Sequence, residues 1–268
     1  MFVSDYDGTL AGNDSRVSSE TIDELVRIGN LGIIRAVATG RSLFSIEKVV
    51  DKDFPVDYLI CSSGIGIYDW RKKELLHKSE IDYIQTKNIY DFLVENNYDF
   101  MVQLPVPNNH FFHHFYSGKN LNKDFITRVR HYKNNGLEPI IKCPDTASQF
   151  VIICNKEQDH YNTIKKQFGE LNIVKATSPI DGKSIWIEIL PGKISKASGI
   201  EFIRKKINIL KKDIVIVGND YYDLDMLNYA DVKNSYIVEN SPDDIKFNYN
   251  IIDSNENNGV AKLLKKLY

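Results

Sequence analysis

Met1-Phe-Val-Ser-Asp5-Tyr-Asp7-Gly8-Thr9-Leu10 begins with a short apolar strand, then two carboxylates spaced i, i+2, then a glycine turn. In a strand, residues two apart share a face. At the C-terminal end of a strand in an open α/β sheet, the first carboxylate points into the crevice where such sheets bind ligands. An acidic pair there can hold a hard cation such as Mg²⁺ through oxygen ligands. It can also offer one carboxylate as a nucleophile and the other as a proton donor. Asp-x-Asp-Gly is equally sound turn chemistry, so this stretch alone leaves both readings open and the rest of the chain decides.

Working outward, strand and helix signals alternate. Ser18 and Ser19 offer an N-cap with Glu20 in the first turn, and Ile22, Leu25 and Val26 follow at helical spacing. Residues 32–38 are a nearly continuous apolar run, the mark of a strand covered on both faces in a parallel sheet. Thr39-Gly40-Arg41-Ser42 ends that run, residues 43–50 read as helix, and residues 57–61 form a third strand closed by Ser62-Ser63-Gly64. This βαβαβ order implies parallel strands with right-handed crossovers. From residue 81 the pattern changes. Helical segments at 88–96, 124–134 and 158–168 are interleaved with strands at 99–104, 110–116, 149–154, 172–176 and 184–189. That order predicts an inserted α+β domain over residues 81–185, with helices on one face of an antiparallel sheet. The alternating pattern then returns over residues 186–268: a helix at 195–204, the strand Asp213-Ile214-Val215-Ile216-Val217, a helix from 223, a strand at 235–238 and a terminal helix at 259–267. The expected fold is α/β, a discontinuous parallel-sheet core (1–80 and 186–268) with an α+β insertion.

Parallel strands bring the loops that follow them to one edge. The loops so gathered hold Asp5 and Asp7, then Thr39, Gly40 and Arg41, then Asn219, Asp220 and Asp223, while Lys196 opens a helix after Pro191-Gly192. Acids, a hydroxyl beside backbone amides and a lysine suit a phosphoryl group with a divalent cation. Oxygen ligands hold the metal, while the ammonium and N–H groups neutralise the transferring oxygens.

The chain resembles the haloacid dehalogenase (HAD) superfamily of aspartyl-phosphate phosphohydrolases, in its Cof-like subclass IIB branch with a large cap. The matching pieces, in order, are DYDGTL at 5–10, ATGRS at 38–42, SSGIGIYD at 62–69, PGKISKASGI at 191–200, VGNDYYDLDML at 217–227 and NNGVAKLLKKL at 257–267. The resemblance implies a Rossmann-like core, a Mg²⁺ cofactor and hydrolysis of small phosphorylated metabolites, sugar phosphates foremost. It makes Asp5 the nucleophile that forms an aspartyl-phosphate. Asp7 becomes the acid for the leaving alkoxide and then the base for water, with its backbone carbonyl on the metal. Thr39 would bond the phosphoryl oxygens and Lys196, preferred over Lys193, would balance their charge. Gly40, Arg41, Ser63 and Gly64 would face the substrate. The family pattern at the fourth motif is Gly-Asp-x-x-Asn-Asp with a methionine three residues on. Met226 fixes the register, so Asp223 matches the last acid, while Asn219 stands where a metal-binding acid is expected. Asp220 is the neighbouring carboxylate able to replace it. Two alternatives remain: a hexose phosphomutase using the same intermediate, and a catalytically weak metabolite-binding or regulatory protein, suggested by Asn219.

Composition narrows the field. A net charge of −2 leaves no electrostatic footprint for nucleic acid, and the lysine pairs are scattered over helical segments as solvated faces. Apolar runs are far short of a membrane span, and no basic segment followed by an apolar stretch marks a leader. Cys61, Cys143 and Cys154 are odd in number and lack CxxC spacing, which disfavours disulfides and structural zinc and fits a reducing cytoplasm. His110, His113 and His114 hint at a metal, but strand alternation sets His113 opposite the other two. Phe111, Phe112, Phe115 and Tyr116 are expected in the inserted domain's core rather than as a ligand platform.

Overall fold

Phe2–Ser4 (β1), Arg35–Ala38 (β2) and Tyr58–Cys61 (β3) are the three early apolar runs, and every residue in them except Tyr58 is buried. The computed structural model describes residues 1–119, 122–137, 139–140, 142–155, 159–178 and 181–268 of the chain. The β1 and β2 runs are linked by Ser19–Asn30 (α1), capped at Ser18, whose Oγ accepts from Thr21 N at 3.2 Å. Thr21, Glu24, Leu25 and Ile28 make its buried stripe. The short helix Leu43–Ile46 (α2) follows β2. Arg35, the one charge inside an apolar run, sits at the strand end away from the site. Its guanidinium meets both oxygens of Asp57 (3.0 and 3.2 Å) and the Leu25 carbonyl (2.8 Å). A charge is tolerated in that position only when paired in this way.

The chain divides into two compact units, Met1–Lys78 with Ser195–Tyr268, and Ser79–Ile194. After β3 the first unit adds an antiparallel hairpin, Gly66–Asp69 (β4) and Glu74–Lys78 (β5). The second unit contains Tyr83–Glu95 (α3), Phe100–Gln103 (β6), Phe112–Phe115 (β7), Lys123–His131 (α4), Gln149–Cys154 (β8), His160–Gln167 (α5), Asn172–Thr177 (β9) and Ile185–Leu190 (β10). Of the helix expected at 158–168, residue 158 lies outside the described residues. The five strands form one antiparallel sheet in the order β7-β6-β8-β10-β9. Because β10 pairs with β8 and β9, this unit runs on to Ile194 rather than ending at 185.

One departure concerns the layers. Ile89 and Leu93 of α3 and Ile164 of α5 pack with Phe100, Val102, Phe150, Ile152 and Ile187 on one face of this sheet. Phe125 of α4 instead joins Met101, Phe112, Val151, Ile153 and Trp186, the alternate residues of the same strands, on the other. Helices therefore flank both faces. Asp124, in the first turn of α4, accepts from Trp186 Nε1 at 2.6 Å and ties the helix down there. Phe112 is part of this core and Phe115 packs on the opposite face.

The first unit resumes with Lys196–Lys206 (α6), Val215–Gly218 (β11), Leu224–Leu227 (α7), Ser235–Val238 (β12), Asp243–Lys246 (α8), Asn250–Ile252 (β13) and Gly259–Leu267 (α9). Its sheet runs β13-β12-β11-β1-β2-β3-β4-β5, parallel from β13 to β3. Val3, Ala36, Ile60 and Ile216 from four adjacent strands meet Ile200 and Ile203 of α6 in one core. With β11, β1, β2 and β3 all pointing the same way, residues 219, 5, 39 and 62 lie along one edge. Among the described residues, no helix is long and apolar enough to cross a membrane.

Candidate active site

β1 ends at Ser4, so Asp5 is the first residue past the strand, and its N–H still donates to Val217 of β11 (2.9 Å). Its carboxylate is buried. Lys196, at the start of α6, is also buried and joins it to the next loop. Its Nζ lies 2.6 Å from Asp5 Oδ1 and 2.7 Å from Asp223 Oδ1. The helix start is fixed by Ser195, whose hydroxyl accepts from Ser198 N while Ser198 Oγ accepts from the Ser195 N–H. Asp225 Oδ2 accepts from Ala197 N at 2.9 Å and adds a second anchor. Lys193, the rival lysine, is exposed.

Two carboxylates sharing one ammonium out of water perturb each other. Burial, and then the like charge of Asp223, push the Asp5 carboxyl up to about 7 against the opposing pull of Lys196. Burial alone would lower the Lys196 ammonium, but Asp223 and Asp5 outweigh it and hold the pKa above the ordinary lysine value. Lys196 is therefore a permanent cation here.

The other oxygens of the two carboxylates face Asn219. One terminal position of the Asn219 amide lies 3.2 Å from Asp5 Oδ2, 3.2 Å from the Asp7 carbonyl, 3.2 Å from Asp223 Oδ2 and 3.0 Å from Thr9 Oγ1. Asp223 Oδ2 also accepts from the Asn219 and Asp220 N–H groups (2.8 and 3.2 Å). That close approach depends on Gly218, where a Cβ would stand 2.7 Å from the Cβ of Asp223. Gly8 is needed for two reasons: its φ is +74°, and a Cβ there would meet the Asn219 amide at 2.7 Å.

Asp220 is not part of the cluster. It is exposed, and its Oδ1 accepts from Tyr221 N in a capping box with Asp223, so its carboxylate is used in a turn. The side chain of Asp7 also points elsewhere. It is 48 % exposed and held by Arg41, with Nε to Oδ2 at 2.8 Å and Nη2 to Oδ1 at 2.6 Å. Ser15 Oγ, 3.0 Å away, accepts from the same guanidinium. Thr39 is fully buried, and its Oγ1 accepts from Arg41 N at 3.0 Å, which closes the turn through Gly40. The Ser63 N–H, a candidate donor to substrate, is taken by the Thr39 carbonyl at 3.0 Å, and Ser62 N bonds the Arg41 carbonyl at 2.8 Å. The Ser63-Gly64 turn thus braces the Thr39–Arg41 loop. Ser62 and Ser63 both adopt positive φ to make it (49° and 55°).

Among the described residues, no group of three His, Cys, Asp or Glu side chains surrounds a common metal position, and this includes the histidines near β7. At the cluster the reason is that Asp5 and Asp223 are joined by an amide and a backbone carbonyl, not by a third carboxylate. The Asn219 amide nitrogen donates to two carboxylate oxygens and the Asp7 carbonyl there, and those three are hard oxygen donors of the kind a small divalent cation takes. Thr9 and Asp225 have no counterpart in the sequence reading. Thr9 lies within DYDGTL and Asp225 within VGNDYYDLDML, the matched pieces being the signal that could have found them.

A family model described as haloacid dehalogenase-like hydrolase matches residues 2–264. A protein of Mycoplasma capricolum is 27 % identical over 88 % of this chain and 89 % of its own length. The 5-amino-6-(5-phospho-D-ribitylamino)uracil phosphatase YwtE of Bacillus subtilis is 26 % identical over 98 % of this chain and 96 % of its own. Among solved structures, BT1666 of Bacteroides thetaiotaomicron, a phosphatase of the same superfamily, superposes with a TM-score of 0.78 at 18 % identity, over 99 % of this chain and 93 % of its own. At that identity it speaks for the fold alone.

Proposed function

Since the chain belongs to the haloacid dehalogenase-like hydrolases and is a phosphatase of that family, we propose that it hydrolyses small phosphorylated metabolites, sugar phosphates foremost, through an aspartyl-phosphate on Asp5. The observation that carries this reading is the buried Asp5–Lys196–Asp223 array at the ends of β1 and β11. An exposed acidic turn would need no buried lysine. A nucleophile that must approach an anionic phosphoryl group does.

Asp5 attacks phosphorus, forming the Asp5 O–P bond as the P–O bond to the alcohol breaks. Lys196 offsets the charge that gathers there. Asp7 supplies the proton to the departing alkoxide and then takes one from the water that attacks the acyl phosphate, releasing inorganic phosphate and restoring Asp5. For this the Asp7 carboxylate must leave Arg41, and the phosphoryl oxygens are the competing anion for that guanidinium. Asp5, Asp223 and the Asp7 carbonyl would hold Mg²⁺, which when bound supplies positive charge to the phosphoryl oxygens. Thr39 and its loop would hold those oxygens in place. YwtE, by its name, acts on 5-amino-6-(5-phospho-D-ribitylamino)uracil, a small molecule with its phosphate on a ribityl chain.

The test is a panel of sugar and polyol phosphates, with p-nitrophenyl phosphate, at saturating Mg²⁺. Release of inorganic phosphate from several members is the expected result. Isomerisation without release would indicate a mutase, and inertness towards the whole panel would refute phosphatase chemistry.

The pH profile follows from the site's charge. Only the carboxylate form of Asp5 is a nucleophile, and kcat/KM reports the free enzyme. With its carboxyl near 7, ionisation of Asp5 should give kcat/KM at limiting Mg²⁺ a rising limb that approaches that pH. Added Mg²⁺ favours the carboxylate and should move the rising limb to lower pH. A limb that ignored Mg²⁺ would place the titrating group outside the cluster.

A further inference from the structure

The two members of the Asp7–Arg41 pair are anchored unequally. Among the described residues the Asp7 carboxylate bonds Arg41 alone, with Oδ2 at 2.8 Å from Nε and Oδ1 at 2.6 Å from Nη2. Arg41 has further holds. Its backbone is set in its turn by Thr39 Oγ1 and by the Ser62 N–H. Its guanidinium carbon lies 5.6 Å from the centre of the fully buried Tyr6 ring. Its Nη2 gives another hydrogen bond to Ser15 Oγ at 3.0 Å. When the pair parts, the carboxylate is therefore the member that moves.

Ser15 is itself fixed. Its carbonyl accepts from Tyr6 Oη at 2.9 Å, and its N–H donates to the Gly12 carbonyl at 2.9 Å. A bridge between Ala11 and Val17 closes the small hairpin around it. Ser15 has a φ of +62°, a conformation that glycine or asparagine adopts at less cost. The turn has no need of a serine. What serine adds is the hydroxyl, and that hydroxyl meets Arg41.

We propose that Ser15 is a positioning residue for proton transfer: by holding the guanidinium in place, it lets Asp7 part from Arg41 and reach the ester oxygen. This rests on the aspartyl-phosphate reading given above. While Arg41 bonds both Asp7 oxygens, neither can serve the departing group. Once parted, the Asp7 carboxyl gives its proton to the oxygen that takes the P–O electron pair, as the Asp5 O–P bond forms. Without Ser15 Oγ the guanidinium follows the carboxylate and the pair stays closed. The loss then falls on esters whose leaving group needs that proton. An alkoxide needs it, whereas p-nitrophenolate departs as a stable anion.

The test compares kcat/KM, which covers the steps up to the aspartyl-phosphate, for an alkyl and an aryl ester. The alkyl ester is the sugar or polyol phosphate that wild type cleaves fastest, and the aryl ester is p-nitrophenyl phosphate. Ser15→Gly suits the positive φ and removes the oxygen. It should lower the alkyl-to-aryl ratio by about tenfold, part of the factor that general acid catalysis supplies, whatever fall the two esters share. Ser15→Asn suits the same φ, restores an acceptor oxygen and should recover part of the ratio. Asp7→Asn should lower the ratio further. Ser15→Gly added to Asp7→Asn should lower it no more, because the proton to be positioned is gone. Three results each overturn the proposal: a wild-type ratio in Ser15→Gly, equal ratios in Ser15→Gly and Ser15→Asn, or the full drop recurring in the Asp7→Asn background. A purely structural serine would slow both esters alike. Hydrolysis of the panel with the ratio unmoved refutes this inference and leaves the phosphatase reading in place, whereas a chain inert towards every ester refutes both.

Discussion

Asp5→Asn should abolish hydrolysis of p-nitrophenyl phosphate, on the order of 10⁴-fold or more, the scale seen when a covalent nucleophile is removed. The substitution keeps the shape of the side chain and removes the attacking oxygen. Its effect on stability should have the opposite sign. With the Asp5 carboxyl pushed up to about 7 by burial and by Asp223, the folded protein holds its Asp5 carboxylate at pH 8 only at a cost the unfolded chain does not bear. A neutral amide at this position avoids that cost, and Lys196 keeps its partner Asp223 at 2.7 Å. The variant should therefore melt no lower than wild type at pH 8 in metal-free buffer. Activity assays paired with thermal melts check both halves. Appreciable residual turnover would exclude Asp5 as the nucleophile, and a sharp fall in melting temperature would mean that Asp5 is chiefly structural.

The contrast between these effects explains why so much of the core was legible. Runs such as residues 214–217 are largely covered on both faces, so every position is apolar and the strand shows in the sequence. Once the strands are parallel, chemistry-bearing residues collect at one edge by topology, without knowledge of any distance. Part of what escaped lacked such a constraint. β5 is partly exposed along its length and carries Lys78 and Glu74, so it reads as a loop. β13 is three residues long and two of them are exposed. The placement of α4 on the far side of its sheet could not be read, because an apolar stripe marks that a helix packs, not on which face.

The site divides in the same way. Asp5, Lys196 and Asp223 come together because each opens or closes a regular element. The Asp7–Arg41 pair joins residues 34 positions apart through flexible side chains, which no periodicity encodes. Asp220 did carry a signal. Asp-x-x-Asp before Leu224 is a capping-box spacing, and the structure puts Asp220 to that use. Reading it as a metal ligand gave weight to its charge and overlooked its position in a turn.

Lys196→Met should have the largest effect on the fold. Lys196 Nζ is the cation within 2.7 Å of both Asp5 and Asp223, and all three side chains are at most 7 % exposed. Methionine fills the space of the chain but leaves two buried carboxylates facing each other. Removing one partner of a buried ion pair costs about 3–5 kcal/mol, because the remaining charge cannot be solvated. Part of that is recovered by protonation, so the loss should depend on pH. Without Lys196, which pulls it down, the Asp5 carboxyl rises further above its unfolded value. A carboxyl whose folded pKa is raised binds its proton more tightly folded than unfolded. Stability then falls as pH climbs from the unfolded value to the folded one. Denaturant unfolding of Lys196→Met should show a deficit that is small in mild acid and grows towards pH 8. Adding Asp5→Asn removes one of the two stranded charges and should restore a substantial part of the loss, a coupling that two independent sites would not show. A deficit independent of pH, or an additive double variant, would mean that Lys196 acts through packing of its methylene chain rather than as the counter-ion of the nucleophile. Hydrolysis should be lost in the single variant as well, since the nucleophile is then protonated at neutral pH and no ammonium offsets the charge of the incoming phosphoryl group.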